Sequence, residues 1–125
     1  MLILTAPDCD SIAATRILVY MLRCDNIMYT THPVANIRDV EVCFSKHCNG
    51  EIRSIVMINC GAIVDVCKTL SLRPEDNIRC FILDSHRPVH LANIHADENL
   101  VVVMDDGLLS SQENIPVRWV TFSVL

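Results

Sequence analysis

Apolar positions along this chain change period repeatedly, and each change marks an element. Leu2 to Thr5 is a short apolar run of the kind that forms a buried strand. Asp10 or Ser11 then caps a helix whose apolar residues Ala14, Ile17, Leu18, Met21 and Leu22 recur at helical spacing. Ile27 to Thr31, β-branched and aromatic, predicts a second strand. Asn36, with Asp39 three residues on, makes a capping box ahead of Ile37, Val40, Phe44 and the partly polar His47, which predict a second helix. After the Asn49-Gly50 turn, Ile52 to Ile58 reads as a central strand. Ile63, Val66, Cys67 and Leu70 mark a short third helix that ends near Pro74, and Ile78 to Leu83 and Leu100 to Met104 are the fourth and fifth strands.

Strands alternating with helices imply right-handed βαβ crossovers and a sheet covered on both faces. The predicted fold is a three-layer α/β domain over residues 1–106: a mostly parallel five-stranded sheet flanked by helices. Asp97-Glu98-Asn99 and Asp105-Asp106-Gly107 punctuate the last strand, and Asp105 and Asp106 read as solvated turn residues. Gly107 to Ile115 is a polar linker, and Pro116 to Leu125 reads as one more strand whose apolar side chains change parity after Trp119.

Composition narrows the function classes. The 125 residues are 51% hydrophobic, which excludes a disordered chain. The greasiest stretch, Ile52 to Ile58, contains Arg53 and stops at Asn59, far short of the roughly 20 residues a bilayer needs. The run that opens at Leu2 is too short for a secretory leader and meets Asp8 and Asp10 directly. Fifteen acidic against 10 basic residues give a formal charge of −5, and the basic ones form no cluster, which argues against tight nonspecific duplex binding. Seven cysteines (Cys9, Cys24, Cys43, Cys48, Cys60, Cys67, Cys80) are an odd number without framework spacing, the usage of a reducing compartment. Cys43 and Cys48 with His47 between them have the wrong spacing for half a zinc site and no second half.

In an open parallel sheet, ligands gather beyond the carboxyl ends of the strands. Three strand ends carry chemistry here: Ala6-Pro7-Asp8-Cys9-Asp10, Asn59-Cys60-Gly61, and Asp84-Ser85-His86-Arg87-Pro88. The crossovers bring Asp8, Asp10, Asp84 and His86 to one edge of the sheet. Carboxylates with an imidazole suit manganese or magnesium, and two such ions about 4 Å apart would clamp a phosphoester. The same residues also suit purely local roles: Asp10 as a helix cap, Asp8 as a turn residue, and Asp84 with His86 as a hydrogen-bonded pair fixing the loop before Pro88. His32, His90 and His95 read as surface or loop histidines rather than ligands.

Thr5-Ala-Pro-Asp-Cys-Asp-Ser-Ile-Ala-Ala, Ile58-Asn-Cys-Gly-Ala and Leu83-Asp-Ser-His-Arg-Pro-Val-His resemble motifs one, two and three of the DHH phosphoesterase superfamily. The variant is that of the cell division control protein 45 family, the eukaryotic relative of the bacterial RecJ nuclease. The similarity runs from about Leu2 to Asp106, in order and in register; the tail beyond Gly107 has no match. Catalytically active members of the superfamily have an aspartate where this chain has Asn59 and two adjacent histidines where it has Ser85-His86, and their further downstream aspartate has no clear counterpart. They also carry a helical insertion and a C-terminal domain, to which nothing in these 125 residues corresponds.

The resemblance therefore implies a pseudoenzyme. Asp8, Asp10, Asn59, Asp84, Ser85 and His86 stand at the vestigial metal-site positions, with Asp8, Asp10, Asp84 and His86 the only residual ligands and no resident cofactor. It implies a structural subunit of the eukaryotic replicative helicase, nuclear, with the minichromosome maintenance ring and the GINS complex as partners and single-stranded DNA reached through the full-length protein. The alternative is a manganese- or magnesium-dependent phosphoesterase or single-strand exonuclease working with a reduced ligand set.

Overall fold

The computed structural model describes residues 1–48, 50–97 and 99–104. Five strands form a single sheet: β1 (Leu2–Thr5), β2 (Thr30–Pro33), β3 (Ser54–Ile58), β4 (Arg79–Leu83) and β5 (Val101–Met104). Every pairing is parallel, in the order β2-β1-β3-β4-β5. The chain moves one way from β1 to β2 and the other way from β2 through β3 to β5. Reversing direction carries the connecting helix to the opposite face, as crossovers of one hand require.

Helix α1 (Cys9–Cys24) accordingly covers one face, where Leu22 meets Ile3, Val56 and Ile58. The other face carries α2 (Ile37–His47), α3 (Val66–Thr69) and α4 (Leu91–Ile94), whose Val40, Phe44, Val66 and Ile94 pack with Leu2, Leu4, Ile55, Met57, Cys80 and Ile82. The central strands are apolar on both sides, which is why β1 is buried at all four positions. The α/β class, the three layers and the five parallel strands are those the alternation of periods predicts.

Several details differ from the sequence reading. The second strand is Thr30–Pro33, not Ile27 to Thr31: Ile27 and Met28 are exposed, and pairing with Leu2–Thr5 sets the strand. Helix α1 is capped by Asp8, two residues before the expected Asp10. Its buried face is Ser11, Thr15 and Leu22, while Ile17 and Met21 are 64% and 57% exposed. Hydroxyls satisfy one another beneath that helix: Thr15 donates to Thr5 Oγ1 at 3.0 Å, and Thr5 donates to the Ser11 carbonyl at 3.4 Å. A polar pair that bonds internally is as buriable as an apolar one, so the packed face takes in Ser11 and Thr15 beside Ala14, Leu18 and Leu22 of the expected stripe, and Ile17 and Met21 turn out of it. The third helix is a single turn, with Ile63 exposed outside it, and α4 was not anticipated. The linker Gly107 to Ile115, the strand Pro116 to Leu125, and Asp105 and Asp106 lie outside the described residues. Among the described residues no helix is long and apolar enough to cross a membrane.

Candidate functional site at the carboxyl edge of β1, β3 and β4

Strand order reverses between β1 and β3, so their following loops diverge and leave a cleft of about 230 Å³. Ala6, Ile37, Asn59, Cys60, Asp84 and His86 are among its walls.

Beyond β1, Asp8 has extended backbone and starts α1. One carboxylate oxygen accepts the Ser11 amide at 2.8 Å and the other accepts the Ser11 hydroxyl at 2.7 Å. These two bonds hold its carboxyl below the ordinary carboxylate value of 3.8, against the opposing effect of burial and with some help from the Asn59 side chain. Asp10, in the first turn of α1, is exposed and makes no side-chain hydrogen bond among the described residues.

Beyond β3, Asn59 turns the chain through a left-handed backbone (φ 54°), a conformation that asparagine tolerates better than most residues. Its amide donates to the Leu83 carbonyl at 2.8 Å. Its side-chain oxygen accepts both the amide and the hydroxyl of Ser85, at 3.1 and 3.3 Å. Gly61 follows, where a Cβ would stand 3.1–3.3 Å from the Met57 side chain. Cys60 is no nucleophile: burial first, then the neighbouring Asp84 charge, pushes its thiol up to about 12.

Beyond β4, the Asp84 side chain is only 2% exposed. One oxygen accepts the Gly61 and Ala62 amides at 3.0 and 2.9 Å. The other accepts the His86 amide at 2.9 Å and its Nδ1 at 2.6 Å. Burial alone would raise this carboxyl, but the Ala62, His86 and Gly61 donors outweigh it and the net shift is downward. A carboxylate has about four acceptor sites, and all of them are used. His86 gives its Nδ1 proton to Asp84, which leaves Nε2 as its outward acceptor on a 57% exposed ring.

The structure thus brings Asp8, Asn59, Ser85, Asp84 and His86 to one sheet edge, with Asn59 bonded to Ser85 and Asp84 to His86. Among the described residues no three His, Cys, Asp or Glu side chains converge as a metal site. The local reading of Asp84 with His86 is the arrangement seen; the cap role belongs to Asp8 rather than Asp10.

Sequence reasoning missed Asn93. It is 2% exposed on α4, and its amide donates to the carbonyls of Gly61, Ala62 and Val64 at 3.2, 3.3 and 2.7 Å, while its oxygen accepts the Val66 amide at 3.1 Å. The only trace in the sequence is a lone amide inside Leu91-Ala92-Asn93-Ile94.

The CDC45 family model matches residues 1–118. The "Cell division control protein 45 homolog" of Dictyostelium discoideum is 40% identical over 115 residues, 91% of this chain and 18% of that protein. The Homo sapiens homolog is 34% identical over 109 residues, 86% of this chain and 19% of that protein. The crystal structure of CDC45 from Entamoeba histolytica superposes with a TM-score of 0.74 at 24% identity, covering 84% of this chain and 20% of that one, a likeness of fold. The chain spans about a fifth of the length of the relatives it matches.

Proposed function

The chain belongs to the CDC45 family, and from that premise we propose that it is a non-catalytic domain of a DNA replication factor, working as a structural part of the nuclear replicative helicase. Its partners on this reading are the minichromosome maintenance ring and the GINS complex, and single-stranded DNA is reached through the full-length protein.

The observation that carries the non-catalytic half is the bonding of Asp84. Hydrolysis of a phosphodiester by two ions needs carboxylate lone pairs free to bridge them. Here four protein donors occupy the Asp84 carboxylate. Asn59 brings no charge and spends its oxygen on Ser85. The donor set therefore does not fit a pair of divalent ions, and these residues act as staples between loops. The alternative, a metal-dependent phosphoesterase or exonuclease, would need Asp84 to surrender its amide partners before each turnover.

A single-turnover assay on a short labelled single strand with excess manganese, run beside Asp8→Ala, tests this half. The expected result is no cleavage above background; cleavage that disappears in Asp8→Ala overturns it. Copurification from nuclear extract tests the assembly half: minichromosome maintenance and GINS subunits should accompany the full-length protein, and their absence counts against it.

A further inference from the structure

Two histidines that the sequence holds fifteen positions apart meet on the α2 side of the sheet. His32 lies on β2 and His47 is the last residue of α2, and their Nε2 atoms are 3.1 Å from one another. Both side chains are half-buried. His32, expected on the surface or in a loop, is instead a half-buried strand residue.

The second ring nitrogen of His47 settles its tautomer. Nδ1 stands 2.8 Å from the Cys43 carbonyl oxygen, which only accepts, so the ring proton is there and Nε2 carries a lone pair. An Nδ1–H anchored on a backbone carbonyl is the outer contact that orients metal-binding histidines. In a linear N–H···N bond the two rings would lie end to end, with centres farther apart than the observed 4.4 Å; instead the planes incline at 52° and the contact is bent. Two nitrogen ligands on one ion, with bonds of about 2.0–2.1 Å, stand about 2.8–3.4 Å apart for square-planar to tetrahedral angles.

We infer that His32 and His47 form a two-imidazole site for a divalent ion of the zinc, nickel and copper class. On binding, His32 carries its proton on Nδ1, both Nε2 atoms ligate, and water fills the remaining positions. A cleft of about 280 Å³ lies beside His47, bounded also by Thr30 and Glu51. It shares no lining residue with the cleft at Asp84. Lys46 lies close enough for His32 to feel its charge and opposes the ion. No third His, Cys, Asp or Glu among the described residues completes the set, so the ion exchanges readily rather than holding the fold.

The test is zinc titration of the 125-residue chain by calorimetry in a non-thiol reductant. One ion per chain is expected in the micromolar range, weakened at least about tenfold in His32→Gln and in His47→Gln and unchanged in Cys48→Ser and Asp10→Asn. Unchanged affinity in both histidine variants, or loss in Cys48→Ser, overturns the proposal. Because a histidine variant can fail to fold, the unmodified chain is also read by NMR with substoichiometric nickel. Broadening centred on the amides of residues 31, 32, 34 and 46–48 supports the site, and broadening centred on 84–86 or absent overturns it.

Discussion

A single side-chain oxygen of Asn59 accepts both the amide and the hydroxyl of Ser85, so the loops after β3 and β4 are bonded to each other. The Asn59 side chain also helps to hold the Asp8 carboxyl low, so a neutral donor stands beside that carboxylate.

Asn59→Asp replaces that donor with a second negative charge beside Asp8. The left-handed turn is not the obstacle, since aspartate also tolerates it. The expected outcome is a thermal midpoint lower by a few degrees, partly recovered by millimolar manganese, with Asn59→Asp plus Ser85→His recovering more. Differential scanning calorimetry with and without the ion checks it, and an unchanged midpoint would count against the donor role.

Asp84→Ala strips the acceptor from the amides of Gly61, Ala62 and His86 at once. Leaving such donors unmade in a part-buried loop costs about 2–4 kcal/mol in all. Asp84→Asn keeps one acceptor oxygen and should lose less. Urea midpoints for the three proteins give the ranking.

Asp8→Ala and Asp10→Ala separate a cap from a bystander. Only Asp8 bonds the Ser11 amide and hydroxyl, so only its loss should fray the start of α1. Amide exchange at residues 11 and 12 should quicken in Asp8→Ala and stay unaltered in Asp10→Ala.

Acid should weaken the fold in two stages. Burial first, and the nearby His47 and Lys46, hold the folded-state pKa of His32 below 6.5, so the unfolded chain takes up that proton sooner and stability falls as pH drops through 6.5. Asp8 and Asp84 lie below 3.8 when folded, so their contribution is complete above 3.8 and is lost as pH falls through their folded values. Denaturant midpoints from pH 8 to 3 should show both declines, and His32→Gln should remove the first alone.

The strands were legible because buried parallel strands are apolar at every position, as in Leu2–Thr5 and Ile55–Ile58. The three strand-end motifs were legible for the same reason, since the chemistry follows each run directly. Part of the packed face of α1 was hidden because Thr15 buries a hydroxyl that donates to Thr5, and Ser11 a main-chain carbonyl that accepts from it, contacts invisible to apolar counting. The apolar run that suggests the second strand starts at Ile27, whereas its ladder with β1 starts only at Thr30, opposite Leu2. Asn93 was hidden because its four bonds all go to main-chain atoms about thirty residues back.

The anchoring of the loop after β3 has a consequence for the order in which the edge is built. Its Gly61 and Ala62 amides wait for a carboxylate more than twenty residues downstream, and its carbonyls wait for Asn93, some thirty residues on. Contacts of such span form only after the intervening chain has been closed into place. As the protein emerges from the ribosome, the Asn59-Cys60-Gly61 bend stays open until α4 has been made and docked, even once β1 and β3 are complete. The bend that carries Asn59 is thus among the last parts of this edge to set.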